Sequence, residues 1–218
     1  MKANLLSITC LLWAPICVHG SLVFKQPHQS FHPNLIDESV DTVFHFVNNG
    51  ESPITIQDIK TSCGCTTAAL GKKTYLPGES GDIQTTFTIG NRQGLQRKHI
   101  RVQTNDTENS EIFLTMEVII PVILEITPRF VSWSKGDTTE TKKVTLTSAE
   151  ATPVNITSII SKNSNFEIKL NTIETGKQYE LWITPLSTEN PQRSLITIET
   201  TINNNAISKT LYVHAFVR

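Results

Sequence analysis

A surplus of charge of either sign is missing from this chain: 19 lysines and arginines stand against 20 aspartates and glutamates, a formal net charge of −1. Without a basic excess there is no electrostatic footprint for nucleic acid. Helical spacing is nowhere sustained, which argues against bundles and alternating α/β architectures. Cysteine is scarce, at four residues in 218, so a disulfide-dense miniature scaffold is excluded. Also missing are a nucleophile elbow, a phosphate-cradling glycine loop, a His-Glu zinc helix and a paired-carboxylate setting. The expectation is a protein that is not an enzyme, with no catalytic residue and no cofactor.

Only one stretch is long in apolar residues. It begins after Lys2, runs from Leu5 to Val18 with Trp13 and Pro15 inside it, and ends in Val18-His19-Gly20. A charged start, an apolar middle and a short-residue end make a secretory signal. A membrane span needs ~20 apolar residues, and this stretch is shorter and followed at once by polar chain. A signal peptide over residues 1–20 is therefore expected, cut before Ser21, with no permanent membrane anchor. Cys17 does not suit a lipid-modified cysteine, because Pro15-Ile16 occupies the positions where bacterial lipoprotein signals carry small residues. The mature chain is expected to be periplasmic or secreted.

What the rest of the chain has in plenty is alternation at a step of two, the signature of strands with one buried face. Val40, Thr42, Phe44 and Phe46 share one face. Ile83, Thr85, Phe87 and Ile89 do the same, as do Ile112, Leu114, Met116, Val118 and Ile120. Asn48-Asn49-Gly50, Pro77-Gly78, Gly90, Gly94 and Asn105-Asp106 stand between these runs and tolerate the backbone angles of turns. Short strands at such intervals predict a β-sandwich. The plan occurs twice. Pro53-Ile54-Thr55-Ile56 with Ile59 returns as Pro153-Val154-Asn155-Ile156 with Ile159. Ile83, Thr85 and Phe87 match Tyr179, Leu181 and Ile183, and Ile100 to Thr104 matches Ile196 to Thr200. The expected fold class is all-β: two tandem immunoglobulin-like sandwiches after the signal peptide, over residues 21–121 and 122–218. The join near Pro121 has no flexible glycine or serine cluster, so a short, stiff junction is expected.

The stretch Val43 to Thr66 contains Phe44-His45-Phe46-Val47-Asn48-Asn49-Gly50, Pro53-Ile54 and Ser62-Cys63-Gly64-Cys65-Thr66. It resembles a bacterial envelope family known as domain of unknown function 1573. The likeness continues through Pro77-Gly78-Glu79, Gly94, Lys98 and Val102-Gln103-Thr104-Asn105-Asp106. It covers roughly residues 21–120, and the cysteine signature is its specific part. Residues 121–218 resemble the broader immunoglobulin-like group that includes ASPM-SPD2-Hydin modules. The resemblance implies a fold and an exported location, and no activity, since the family has none assigned.

Cys63 and Cys65 are the cysteines that remain once the signal is removed. In an extended chain residues i and i+2 point the same way, which brings the two sulfurs together. An oxidising compartment favours a disulfide, and Gly64 supplies the bend that so small a ring requires. A bridge over so few residues should be strained and easily reduced. Loop closure over three residues contributes ~1.6 kcal/mol at most. Two thiolates also suit copper(I) or zinc, with His45 and His99 on strands that could approach. A disulfide or thiol pair is the stronger reading, a metal site the weaker, and inert thiols remain a third. The position matching Cys63 in the second domain is Asn163, so the fold can be built without the pair.

Arg97, His99 and Arg101 line one strand face, opposite Lys98, Ile100 and Val102. An anionic surface could be drawn to such a stripe, but with charge so nearly balanced a solvated strand face is the stronger reading. Trp133, Trp182 and Tyr179 raise sugar stacking. Tyr179 alternates with Leu181 and Ile183 and belongs to the core, which sends Trp182 outward. The sequence supports first a non-catalytic structural or protein-binding module of the bacterial envelope, acting on an unknown envelope protein or surface component. A thiol-redox or copper-handling role through Cys63 and Cys65 is the alternative. A periplasmic assembly chaperone is a further one, since Ile112 to Ile120 alternates as a client-completing strand would.

Overall fold

A computed structural model describes residues 22–149, 153–202 and 207–218. The signal segment, its cleavage point and Cys17 lie outside the described residues. Among those described, every regular element is a strand: β1 Leu22–Phe24, β2 His28–Phe31, β3 Ser39–Asn48, β4 Ile54–Thr61, β5 Thr66–Leu70, β6 Thr74–Tyr75, β7 Ser80–Thr88, β8 Gly94–Thr104, β9 Glu111–Ile120, β10 Leu124–Thr127, β11 Phe130–Trp133, β12 Lys142–Ser148, β13 Val154–Ser161, β14 Phe166–Glu174, β15 Gln178–Pro185, β16 Gln192–Ile202 and β17 Ile207–Val217. The all-β expectation holds.

The strands form four sheets, two for each repeat. The first repeat pairs the order β1-β3-β7-β5 with β2-β9-β8-β4-β6, and the second pairs β10-β12-β15-β14 with β11-β17-β16-β13. The duplication read in the sequence is reproduced in the register of β4 with β8 and of β13 with β16. On β7 and β15 the match shifts by two residues, so that Ile83 corresponds to Leu181 and Thr85 to Ile183 rather than to Tyr179 and Leu181. β4 and β13 both carry a bulge at the same place, between Ile56 and Asp58 and between Ile156 and Ser158. Each repeat also opens with a split strand, one half joining each sheet, and the second half runs parallel to the last strand of the repeat. β6 has no counterpart in the second repeat.

Alternation places the apolar side chains as the sequence implies. Phe44, Ile83, Phe87, Ile100, Leu114 and Met116 are wholly buried in the first core. In the second, Val144, Leu146, Leu181, Ile183, Ile196 and Val213 take that role. Burial of aliphatic and aromatic side chains contributes roughly 1.5–3 kcal/mol each, and this is what holds the sheets face to face. Core residues up to Ile120 belong to the first cluster and those from Ile123 onward to the second.

The junction between them is bridged by side chains. The Gln93 amide donates to the Leu124 carbonyl at 2.7 Å, and its oxygen accepts from the Ile123 amide. Asn91 donates to the Tyr212 hydroxyl, while Leu35 packs against the second core. These contacts are a physical basis for the stiffness expected of the link. Gln93→Ala should therefore lower stability by about 1 kcal/mol, the usual net worth of such hydrogen bonds. It should also widen the distribution of angles between the sandwiches. Small-angle scattering of parent and variant reads the second effect, and identical profiles would count against the clamp.

Candidate functional site

Where β4 ends, the chain must cross from one sheet to the other to start β5, and the crossing is the turn Ser62 to Cys65. Its backbone is closed by short hydrogen bonds. The Thr66 amide donates to the Cys63 carbonyl at 3.3 Å, and the Thr61 hydroxyl donates to the same oxygen at 3.1 Å. Ser62 N donates to the His99 carbonyl on β8, and Thr88 N donates to the Cys65 carbonyl. Cys63 and Cys65 are joined by a disulfide with their Cα atoms 5.3 Å apart, inside the usual range for such bridges. Both are half-buried, and Cys65 rests against the first core. The buried Thr66 hydroxyl lies 3.6 Å from the Cys63 sulfur and 4.0 Å from that of Cys65.

The second sandwich makes the same crossing without cysteines, at Lys162 to Asn165. Phe166 N donates to the Asn163 carbonyl at 3.2 Å, the Ser161 hydroxyl donates to it at 2.8 Å, Lys162 N donates to the Leu195 carbonyl, and Leu186 N donates to the Asn165 carbonyl. Each matches a bond of the first turn. In place of the sulfur–sulfur bond, the Asn163 side-chain oxygen accepts from the Asn165 amide at 3.0 Å, an Asx-type closure of the same residues i and i+2. The turn thus forms on backbone hydrogen bonds and one side-chain bond, and the disulfide is an addition to it.

Lys98 is placed by the sequence on the face of Ile100 and Val102, with no role given to it there. It shares the inward face of β8 with Ile100 and Val102. The β4–β8 register ends at Thr61 opposite Ile100. In the second sandwich Ser194, at the place of Lys98, accepts from the Asn163 amide at 3.1 Å, whereas the Lys98 ammonium donates to the Gln96 side-chain oxygen at 3.4 Å. The Lys98 ammonium stands 5.3 Å from the centre of the Phe87 ring, with the Arg92 guanidinium 5.9 Å from the same ring. Burial, and secondarily the like charge of Arg92, lowers the lysine's affinity for its proton. The signal that could have pointed to a role was its parity with Ile100, since a lysine at an inward position calls for an explanation.

The other sequence candidates separate cleanly. His45 lies on β3, exposed and paired with Asp82 at 2.6 Å. The His99 ring faces outward to the Thr115 hydroxyl, so only its backbone serves the turn, the carbonyl accepting from Ser62 N and the amide donating to the Ser62 hydroxyl at 3.2 Å. Neither histidine joins the cysteines, because both alternate to outer faces. Among the described residues, no group of three or more His, Cys, Asp or Glu side chains is placed to hold a metal ion. The basic stripe is largely neutralised by the neighbouring strand, Arg97 by Glu117 at 2.8 Å and Arg101 by Glu111 at 2.9 Å. Trp133 is core, its indole N–H donating to the Glu140 carbonyl, and Tyr179 is core as expected. Trp182 faces outward.

Residues 22–120 match the family model described as "Protein of unknown function (DUF1573)". The match spans the first sandwich. Among curated proteins nothing matches. Among solved structures the chain is similar to a protein of unknown function from Porphyromonas gingivalis W83, at 14% identity over 89% of this chain and 98% of that one, with a TM-score of 0.33. It is also similar to the CupB2 chaperone of Pseudomonas aeruginosa, at 7% identity over 88% and 99%, TM-score 0.36. A third is the secreted serine protease VesC of Vibrio cholerae, at 10% identity over 84% of this chain and half of that one, with a TM-score of 0.38. Likenesses of this degree say nothing of what the first sandwich binds. No helix among the described residues is long and apolar enough to cross a membrane.

Proposed function

We propose that this protein is an exported, non-catalytic binding module of the bacterial cell envelope, and that the disulfide turn of its first sandwich is a contact tip. One observation carries the reading. The two sandwiches share strand order, bulge and turn hydrogen bonds, yet only the first adds a disulfide to that turn. A feature the fold does not require, on a half-exposed tip, is better explained by what it meets than by what it supports.

A second reading, thiol–disulfide exchange with an envelope protein, is favoured by the half-buried position of both sulfurs on the turn, which leaves the bridge open to a partner thiolate. Reduction by a dithiol partner would leave two thiols here and a disulfide there. The assembly-chaperone alternative has less to draw on, because β9 is already paired with β8 along its length and with β2 over Thr115–Val118.

Crosslinked pull-downs from envelope extract separate these readings, using the oxidised parent, C63S/C65S and C65S. The contact-tip reading expects partners held by the parent, lost from the double variant, and unaffected by mild reductant. Exchange expects C65S to trap a mixed disulfide that a reductant releases. Identical partner sets for parent and double variant would overturn the contact tip.

A further inference from the structure

The same internal comparison singles out a second place, on the outer face of the sheet β10-β12-β15-β14. The position that matches Trp182 in the first sandwich is Gln84, which lies between Val43 and Ala69 as Trp182 lies between Lys143 and Lys169. Trp182 is therefore specific to the second sandwich, and at 39% exposure it is much more open than an indole in a core. Its register neighbours are Lys143 on β12 and Lys169 on β14. Lys169, with Glu167, Asn171 and Thr184, borders a groove of about 640 Å³ beside the indole.

The indole is held in place. Its N–H donates to a Glu180 carboxylate oxygen at 3.2 Å, and the other oxygen of that carboxylate takes the Lys143 ammonium at 2.9 Å. The lysine's hydrogen bond, then its charge, with smaller help from the indole and Asn171, keeps Glu180 ionised below the usual glutamate range. The edge of the ring is thereby committed and its face is left for a ligand. Around it Lys143 and Lys169 balance Glu167 and Glu180, so the face has no net charge to attract an ion. Amide, carboxylate and hydroxyl groups at the rim accept and donate in the plane of the sheet.

We propose that this groove binds a neutral oligosaccharide, with one sugar ring stacked on the Trp182 face and its hydroxyls taken by Glu167, Asn171 and Thr184. A flat aromatic face with a balanced polar rim matches a pyranose, which presents apolar C–H groups on its faces and hydroxyls at its edge. From Glu167 to Asn171 the strand covers ~13 Å, enough for about two or three rings. A polyanion would meet as many carboxylates as ammonium groups, which argues against an acidic glycan.

Intrinsic fluorescence titration of the full mature chain tests this with hexamers of β-1,4-linked glucose, β-1,4-linked N-acetylglucosamine and β-1,4-linked mannose, and with heparin as the anionic arm. At least one neutral hexamer should shift the emission saturably, with little dependence on salt. W182A, followed by calorimetry because the reporter is lost, should bind that hexamer about tenfold more weakly, the effect of ~1.4 kcal/mol of stacking. N171A should weaken binding by a smaller factor and keeps the test open should W182A fail to fold. W182F should retain part of the affinity, and C63S/C65S should bind as the parent does, which keeps this result independent of the disulfide turn. No response to any neutral hexamer, a response to heparin alone, or undiminished binding by W182A would overturn the proposal.

Discussion

Trp133→Ala is expected to cost the second sandwich about 3–5 kcal/mol, the range for removing a large aromatic from a packed core. The indole is 2% exposed, and its ring centre lies 6.0 Å from that of Phe166. The Lys142 ammonium stands 5.3 Å from the ring, and the N–H is satisfied by Glu140. No single neighbour can fill the space left behind. Domains of this size have total stabilities of roughly 5–15 kcal/mol, so the loss is a large share of what is available. Because Trp133 belongs to the second core alone, the first sandwich should keep its own transition. Urea unfolding followed by amide resonances in both halves reads the two separately. A loss shared equally between them would mean that the Gln93 junction makes one cooperative unit of the pair.

Gly81→Ala should be nearly as damaging, for the opposite reason. Gly81 occupies an inward position on β7, continuing the series Ile83, Thr85 and Phe87, and two aromatic rings fill the space where its side chain would be. An added Cβ would lie 2.5 Å from Phe46 Cζ and 2.7 Å from Tyr75 Cζ. Neither ring can easily retreat. Phe46 is packed edge-on against Tyr75 and also against Phe24, and the Tyr75 hydroxyl is tied to the Lys72 carbonyl at 2.7 Å. Overpacking of this kind costs about 1–3 kcal/mol, and the upper end is expected here. Thermal unfolding of the variant measures it. A melting temperature unchanged from the parent would show that the rings move freely.

Gly81 also marks where sequence reasoning stops. Its neighbours at a step of two were legible as core, but a glycine in that series has no side chain to reveal which rings it accommodates. The strand faces were legible because alternation is a local property. So was the duplication, since matched segments keep their order. Whether Cys63 and Cys65 form a bridge was legible only as one of three alternatives. The spacing brings the sulfurs together, but closure depends on the crossing between sheets at Ser62 to Cys65. Lys98 was legible as a lysine on an inward face, but its partners, the Gln96 side chain and the Phe87 ring, were not. Trp133 and Trp182 could be told apart only once Trp133 was seen at the inward end of the short strand β11, paired with Val217.

The central claim is that the disulfide is an addition to a turn that folds without it, and urea unfolding of the oxidised parent beside C63S/C65S tests it most directly. Asn163 and Asn165 close the matching turn on hydrogen bonds alone, and closure over so short a loop contributes ~1.6 kcal/mol at most. The double variant should therefore remain folded, unfold with the same slope and lie less than about 2 kcal/mol below the parent. A loss well above that, or a first sandwich that no longer folds, would make the bridge a structural staple and contradict the account.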